Sequence, residues 1–408
     1  MKKIGIMSFP RYQNYGTYLQ LYALQSTVAA LGYKPEIIDY DPYNDSGNRS
    51  RHPMGNALRK TLRPLLRALK KAVFPDKIHS PQTVYTVSNN NAFDKFRDNQ
   101  LQLGATTYFN QYELNDNPPR CAAFITGSDQ VWNPRAHFMD SAYFLAFAEP
   151  HQRIAYAPSF GVDQIPQESR GWMRQQIRGI ASLSVREQNA VAMVRELSGR
   201  EARLVVDPVM LLPVAEWTAF SYKRVAASRP YLFCYFLESD PYMRERALTL
   251  AEQLGLDLYL LPVNALDRDI RDERITLLHD IGPREFVGLI RHAELVCTDS
   301  FHGSVFSIML KRPFLTFQRY ANPDQVAAHS RIESILNISG LGARLVSKNG
   351  TLPSAPLQVD FGPSHDKLGK LREKSIRYLA ESLHQATCDE ASAPLDFDHT
   401  TLWESTVV

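Results

Sequence analysis

The sequence predicts an α/β fold with two Rossmann-like domains in succession, and three observations carry this prediction. Short apolar strands alternate with amphipathic helical segments from one end of the chain to the other, a pattern typical of parallel sheets covered by helices. The alternation is interrupted between Pro213 and Pro230 and then starts again. The chain has 408 residues, which is too long for one ordinary core and suits two domains.

The first unit begins with a strand at residues 3–9 and a helix at 17–31, whose leucines and valine recur at helical spacing. Gly32 is expected to end this helix, and a strand at 35–40 follows. Four further apolar runs predict strands at residues 122–126, 153–157, 180–185 and 203–206.

The second unit begins with an aromatic, apolar strand at residues 231–237. The remaining elements predicted for it are a helix near 244–254, a strand at 257–261, a helix at 284–292 and strands at 295–298 and 313–317. A late helix is expected at 367–386, followed by an acidic, Ser/Ala-rich tail from Cys388 that we expect to be poorly ordered.

Two Rossmann-like domains followed by a late helix form the arrangement called GT-B, in which the active site lies in the cleft between the domains. The expected boundaries are an N-terminal domain at residues 1–215 that holds the acceptor and a C-terminal domain at 216–350 that holds the donor. Residues 351–408 are expected to form the late helix and the tail.

Composition excludes several classes of protein. With 44% hydrophobic and 22% charged residues the chain is globular, and a net charge of +3 gives no reason to expect a nucleic-acid partner. The four cysteines form no CxxC pair, so neither a zinc knuckle nor a disulfide framework is indicated. No apolar run approaches the ~18 residues of a membrane span, and the first apolar run is too short for a signal peptide. We therefore expect a cytoplasmic protein.

A basic, amphipathic insertion near residues 51–77 stands apart from this alternation. Between Arg51 and Lys77, six further lysines and arginines are interleaved with leucines and a valine at helical spacing, with Pro64 inside the pattern. Two interpretations remain open: a helix that lies on an anionic membrane surface, or a domain helix whose basic side faces water. The first would give the protein a peripheral contact with the inner face of the plasma membrane.

The turn with the clearest chemistry follows the predicted strand at 295–298. There Ser300-Phe301-His302-Gly303-Ser304 begins a helix, whose free N–H groups and dipole favour an anion. His302 could exchange a proton near neutral pH beside that anion. The plainer interpretation is a capped helix start with a surface histidine, and Ser300 and Ser304 could either cap the helix or contact phosphate.

Three other strand-to-helix turns carry polar residues. At Asn14-Tyr15-Gly16, the glycine would let a ligand approach the backbone, and Asn14 offers a donor and an acceptor. At Gly127-Ser128-Asp129, the segment could cap a helix, while Trp132 could form a wall against a sugar ring. Arg186 could offer a planar fork to a phosphate or carboxylate, or form a simple salt bridge with Glu187.

Taken together and in this order, the turns resemble the polysaccharide pyruvyl transferase family. The resemblance covers roughly residues 3–345. The matching segments are Asn14-Tyr15-Gly16, Leu19–Gln25, Gly127-Ser128-Asp129-Gln130-Val131-Trp132-Asn133, Ile154–Gly161, Ser184-Val185-Arg186-Glu187, Asp207-Pro208 with Leu211-Leu212, and Thr298-Asp299-Ser300-Phe301-His302-Gly303. Thr17 departs from the acidic or small residue that many relatives carry after the first glycine, which leaves the acceptor contacts of this turn open.

The resemblance implies transfer of the enolpyruvyl carbons of phosphoenolpyruvate to a sugar, usually as a cyclic ketal, with release of phosphate. The expected acceptor is a cell-surface glycan or a lipid-linked saccharide precursor. Neither a metal nor a cofactor is expected, phosphoenolpyruvate being a co-substrate. No DxD-type acidic metal site lies near these turns.

Roles for individual residues follow from the chemistry of this donor, which carries both a phosphate and a carboxylate. We expect His302 to act as acid–base residue, Arg186 to hold the donor anions and Asp129 to orient or deprotonate the acceptor hydroxyl. Arg331 begins a predicted helix and could face the cleft or simply be exposed. The substrate-binding residues expected in addition are Asn14, Tyr15, Gly16, Gly127, Ser128, Trp132, Ser300, Phe301, Gly303, Ser304 and Arg331.

Two other functions remain open at this point. A GT-B glycosyltransferase that uses a nucleotide sugar would need the same fold and the same anion-binding turns. A non-catalytic glycan-assembly protein of this fold would have no need of an acid–base histidine.

Overall fold

Each half of the chain forms a parallel β-sheet flanked by helices in the computed structural model. The structure describes residues 1–42, 91–136, 139–222, 229–319, 329–348, 350–388 and 402. The strands are β1 Lys3–Met7, β2 Lys34–Tyr40, β3 Leu103–Tyr108, β4 Ala123–Thr126, β5 Arg153–Ala155, β6 Ser184–Val185, β7 Arg203–Leu204, β8 Tyr231–Tyr235, β9 Asp257–Leu260, β10 Ile275–Leu277, β11 Leu295–Thr298, β12 Phe314–Phe317 and β13 Leu345–Val346.

The helices connect these strands. They are α1 Tyr15–Ala30, α2 Asn91–Gln100, α3 Gln111–Asp116, α4 Gln167–Arg178, α5 Gln188–Ser198, α6 Val214–Phe220, α7 Pro241–Leu254, α8 Ala265–Arg268, α9 Pro283–His292, α10 Phe301–Met309, α11 His329–Ser339 and α12 Gly362–Thr387. Short 3₁₀ turns occur at Ser141–Phe144, Pro150–Gln152, Pro208–Met210 and Gly342–Arg344.

The first sheet has the strand order β3-β2-β1-β4-β5, and every pairing in it is parallel. Its central strands are apolar on both faces because helices cover both sides, so Ile6 and Ile125 are buried on one face and Met7 and Phe124 on the other. A parallel bridge between Ile154 and Ser182 continues the sheet toward β6, which pairs with β7.

The second sheet has the order β10-β9-β8-β11-β12-β13 and is also parallel throughout. Both sheets reverse their strand order beside their first strand, at β1/β4 and at β8/β11. In open α/β sheets ligands bind outside the carboxyl ends of the strands at such reversals. The fold therefore points to the turns after these four strands.

The last helix, α12, returns from the second sheet to the first half of the chain. The Tyr378 hydroxyl donates to the carbonyl of Ala155 at 3.0 Å, and Arg372 donates to the carbonyl of Leu211 at 2.7 and 3.0 Å. The side chain of Ser375 accepts from the N–H of Val206 at 3.0 Å. This helix therefore ties the two halves together through buried polar contacts.

The predicted fold class is confirmed, since both parallel sheets and the late helix are present. The first helix begins at Tyr15 instead of residue 17 because the side chain of Asn14 accepts from the N–H of Thr17 and so caps it. Helices α2 and α4 and strand β3 were not predicted, because their apolar residues are few: α4 buries only Met173 and Ile177. Helix α5 was also not predicted, although it buries Ala190, Met193, Val194 and Leu197.

Three sequence predictions stay predictions. The basic insertion near residues 51–77 and the tail beyond Cys388, apart from Leu402, lie outside the described residues. The domain boundaries at 215 and 350 are likewise untested. Among the helices that the structure describes, none is long and apolar enough to cross a bilayer.

Candidate active site

Residues from both halves of the chain meet at the start of α10. The ring of His302 lies directly on the backbone of Gly16 at the start of α1, so close that a Cβ at this glycine would lie 1.9 Å from the histidine Nδ1. No side chain larger than hydrogen fits there. Gly16 was predicted to let a ligand approach the backbone. In the structure, the group that approaches it is the ring of His302 from the other half of the chain.

The carboxylate of Asp207 lies at the centre of this cluster and is completely buried. Its Oδ2 accepts from Arg186 Nη1 at 2.7 Å and from the Ser128 hydroxyl at 2.9 Å, and it lies 3.4 Å from His302 Nε2. Burial by itself raises the pKa of Asp207, but the opposing effects of His302 and Arg186 are stronger and hold that pKa well below its usual range. The carboxylate is therefore ionised at neutral pH.

His302 is 6% exposed, and its two ring nitrogens have different surroundings. Nε2 is completely covered and faces Asp207, although it makes no well-aligned hydrogen bond to a described residue. The edge of the ring that carries Nδ1 lies against Gly16. Phe301 packs edge-on against the ring at 5.1 Å between centroids, which fixes its orientation.

Arg186 is buried between the two halves. Its Nε donates to Glu187 at 3.0 Å, and its guanidinium lies 4.3 Å from the centre of the Phe301 ring. Burial lowers the pKa of Arg186, but Glu187 and Asp207 outweigh it and raise that pKa above its usual value. The buried Nη2 of Arg186 has no hydrogen-bond partner among the described residues.

A second buried arginine, Arg331, approaches from α11. Its two Nη atoms lie 3.1 and 3.2 Å from the side-chain amide of Gln130, whose oxygen accepts from both when it faces them. Burial and the charge of Arg186 lower the pKa of Arg331 to about 10. No carboxylate of the described residues lies within ion-pair distance of Arg331, and its Nε has no partner among them. Unsatisfied N–H groups on two neighbouring guanidiniums favour a bound anion.

Asp129 faces the same cluster with a half-buried side chain. One carboxylate oxygen, Oδ2, accepts from the Thr17 hydroxyl at 2.5 Å, and Oδ1 accepts from the N–H of Gln130 at 2.9 Å. Its backbone has φ = +75°, a left-handed conformation that a non-glycine residue adopts only when its surroundings require it.

Three of the predicted substrate-binding residues have other roles, and the structure corrects these predictions. Trp132 is fully buried, stacks on Phe144 at 5.1 Å and donates to the carbonyl of Tyr143 at 3.1 Å, so it is a core residue and cannot form a wall against a sugar. The ring of Phe160 also packs against the indole, at 5.5 Å between centroids.

Tyr15 and Ser304 are also fully committed to the protein. The Tyr15 hydroxyl donates to the carbonyl of Ile281 at 2.8 Å, and its ring stacks on Phe286 at 4.6 Å, which joins the two halves. Ser304 donates to the carbonyl of Ser300 at 3.0 Å and lies 2.8 Å from the Thr316 hydroxyl. Since both are buried, neither contacts a phosphate or a sugar.

The other predicted residues shape the turns themselves. Asn14 and Ser300 cap α1 and α10 by accepting from Thr17 and Gly303. A Cβ at Gly303 would lie 2.5 Å from the Thr298 hydroxyl, and one at Gly127 would lie 3.2 Å from Leu24. These residues therefore fix the backbone around the cluster instead of presenting side chains to it.

Sequence reasoning did not assign a role to Asp207, which the structure places closest to His302. The signal was present in Asp207-Pro208 after a strand, but the carboxylate lies about a hundred residues from the histidine in the chain. No group of three His, Cys, Asp or Glu residues in the described part of the chain could hold a metal ion. Two cavities of about 520 Å³ lie elsewhere, and none of the residues that line them belongs to this cluster.

Comparisons with known proteins agree with this architecture. The family model described as "Polysaccharide pyruvyl transferase" matches residues 14–319, and no curated protein sequence matches the chain. A UDP-N-acetylglucosamine 2-epimerase from Listeria monocytogenes superimposes with a TM-score of 0.51 at 11% identity, covering 94% of this chain and 93% of that one. This similarity shows the fold alone.

Two further solved structures are similar over nearly their full length. The MnaA–UDP complex from S. aureus has a TM-score of 0.49 at 11% identity and covers 97% of this chain and 100% of that one. MurG from Acinetobacter baumannii has a TM-score of 0.40 at 9% identity, with coverages of 97% and 96%.

Proposed function

The chain belongs to the polysaccharide pyruvyl transferase family, and from this premise we propose that it transfers the pyruvyl group of phosphoenolpyruvate to two hydroxyls of a saccharide. The product is a cyclic ketal, and inorganic phosphate is released. The observation that supports this most is the contact between His302 and the ion pair of Asp207 with Arg186, since it joins a proton donor to an anion site.

The donor is held by the guanidinium groups. The free Nη2 of Arg186 and the free Nε of Arg331 bind the phosphate and carboxylate of phosphoenolpyruvate, while the remaining N–H groups of Arg186 stay on Asp207, Ser128 and Glu187. The start of α10 adds its dipole to this anion site. Because every other contact is already made, the anions enter a preorganised site.

Two proton transfers accompany the first bond. An acceptor hydroxyl gives its proton to Asp129 while its oxygen bonds to C2 of phosphoenolpyruvate, and the electrons of the double bond take a proton from His302 at C3. Asp207 stabilises the imidazolium that is needed for this step. The result is a tetrahedral adduct that carries a methyl group, the phosphate and the sugar oxygen.

The second bond releases phosphate. A neighbouring hydroxyl of the same sugar attacks C2, the C–O bond to phosphate breaks, and the hydroxyl proton leaves with the phosphate. This step is intramolecular, so it benefits from the high effective concentration of a group already held beside its target. The acceptor is a cell-surface glycan or a lipid-linked precursor, and the reaction is placed on the cytoplasmic side of the membrane in this proposal.

The experiment is phosphate release from phosphoenolpyruvate with a panel of saccharide acceptors, with the product analysed after reaction in D₂O. Addition of a proton at C3 predicts one deuterium in the ketal methyl group. A product that keeps a vinyl group would contradict the proposed chemistry. Acceptor-dependent consumption of a nucleotide sugar, with no turnover of phosphoenolpyruvate, would replace the proposal with glycosyl transfer.

A further inference from the structure

Thr17 is a buried residue of α1 and follows Gly16 directly. Its side chain points to the carboxylate of Asp129. Thr17 is 0% exposed, and its hydroxyl donates to Asp129 Oδ2 at 2.5 Å. Its N–H is used separately, because it donates to the Asn14 side chain that caps the helix. Removal of the hydroxyl would therefore leave the cap intact and change only the contact with the carboxylate.

The backbone of Asp129 is held in the left-handed region by pairing with the loop after β5. Its carbonyl accepts from the N–H of Ser159 at 2.9 Å, and a parallel bridge joins it to Pro158. Ala157, which precedes that proline, is itself left-handed with φ = +57°. Asp129 and Ala157 are thus two strained non-glycine residues on loops that pair with each other. This indicates that the backbone fixes the direction of the Asp129 carboxylate.

Both oxygens of Asp129 are directed by these contacts. Oδ1 is turned back onto the N–H of the next residue, Gln130, and Oδ2 is turned onto Thr17. Hydrogen bonds donated to both oxygens of a carboxylate restrict its rotation. The carboxylate thus has one free lone pair on each oxygen in a defined direction.

We infer that Thr17 is a positioning residue for pyruvyl transfer, which orients the carboxylate of Asp129 toward the acceptor hydroxyl. This inference rests on the proposed function, in which Asp129 takes the proton of that hydroxyl. Thr17 affects only the step in which the acceptor hydroxyl reacts, and not binding of the donor. The structure gives its side chain no contact with Arg186 or Arg331.

The test compares Thr17→Val, which removes only the hydroxyl, with Thr17→Ser, which keeps it. Thr17→Val is expected to lower kcat about tenfold with an unchanged KM for phosphoenolpyruvate. Thr17→Ser is expected to restore kcat. Thr27→Val is the matched control, since Thr27 is equally buried in α1 but donates only to the carbonyl of Ala23.

A double-mutant cycle with Asp129→Asn separates positioning from packing, because asparagine tolerates the left-handed backbone. If Thr17 acts through Asp129, Thr17→Val lowers kcat no further in the Asp129→Asn protein. The same tenfold loss in that background, or a kcat of Thr17→Ser as low as that of Thr17→Val, would overturn the inference. A wild-type enzyme without phosphoenolpyruvate turnover would instead overturn the proposed function on which it rests.

Discussion

Two buried aspartate–arginine pairs of this protein look alike in isolation and differ in almost everything around them. Asp207 pairs with Arg186 at 2.7 Å, and Asp299 pairs with Arg319 at 2.9 Å; both carboxylates are fully buried. Asp207 collects its side-chain donors from across the chain and faces His302 of the other half. Asp299 binds the backbone N–H groups of Leu237 and Glu238 within its own half.

The pKa values of the two carboxylates are shifted in opposite directions. The pKa of Asp207 is held well below its usual range, since His302 and Arg186 outweigh burial. For Asp299, burial outweighs Arg319 and the two backbone N–H groups, so its pKa is raised. The comparison teaches that a buried ion pair by itself does not mark an active site. What distinguishes the first pair is a histidine and an arginine N–H left without a partner.

The largest expected effect is at His302, which has no counterpart beside Asp299. His302→Ala should lower kcat about 10³-fold, because the donor of the proton to C3 is lost. The measurement is the rate of acceptor-dependent phosphate release. His151→Ala is the control, since His151 lies exposed on a 3₁₀ turn and should leave the rate unchanged. A His302→Ala rate within threefold of wild type would remove the acid–base role.

The two aspartates should respond differently to the same change. Asp207→Asn should lower kcat about 10²-fold, because the imidazolium loses its anionic partner. Asp299→Asn should cost about 2 kcal/mol of unfolding free energy, because an amide nitrogen cannot accept the N–H groups that one carboxylate oxygen now binds, and keep the kcat of the folded fraction. Urea unfolding and kinetics at matched folded fraction distinguish the two. A similar loss of kcat in both would erase the distinction between the pairs.

The arginines offer a smaller, more specific contrast. Arg186→Lys should raise the KM for phosphoenolpyruvate about tenfold, since a single ammonium nitrogen cannot replace the planar guanidinium fork, which binds Asp207 through Nη1 and leaves Nη2 for the donor anion. Arg319→Lys should leave this KM unchanged, because Arg319 binds the side chain and carbonyl of Asp299. An equal rise in KM in both variants would place the anion site nearer to Arg319.

The smallest expected effect is on stability in acid. Because the folded pKa of Asp207 is lowered, its contribution is present above the ordinary value near 3.9 and is lost as the pH falls below it. Asp299 has a raised pKa, so its ionisation opposes folding at neutral pH, and this cost disappears as the pH falls.

Urea unfolding between pH 3 and pH 7 measures this difference. Asp207→Asn should reduce the acid slope of the unfolding free energy below pH ~3.9, by at most about 1.4 kcal/mol per pH unit. Asp299→Asn should remove the gain on mild acidification instead. Identical slopes in wild type and both variants would contradict the opposite pKa directions.

The fold could be predicted from the sequence because strands and helices each produce a local spacing of apolar residues. The sequence was also sufficient to bring His302, Arg186 and Asp129 to the carboxyl ends of strands, where parallel sheets place their turns. It failed for Asp207, whose role depends on a contact with a histidine far away in the chain. It failed for Trp132 because an indole beside a polar turn gives no sign of which face it packs against.

Gly16 shows the same limit of prediction from sequence. The sequence indicates only that the backbone there is approached closely. The structure identifies the approaching group as the ring of His302, which belongs to the other half of the chain. Contacts between halves cannot be obtained from local pattern, and the candidate active site consists largely of such contacts.

The central claim is that His302, with Asp207 as its anionic partner, acts as the acid–base residue in pyruvyl transfer. One measurement tests this claim most directly. The rate of ketal formation from ¹³C-labelled phosphoenolpyruvate on a saccharide acceptor is followed by NMR for wild type, Asp207→Asn and Asp299→Asn. The account predicts ketal in wild type, about 10²-fold slower formation in Asp207→Asn and a wild-type rate per folded protein in Asp299→Asn. Equal rates in wild type and Asp207→Asn would contradict it.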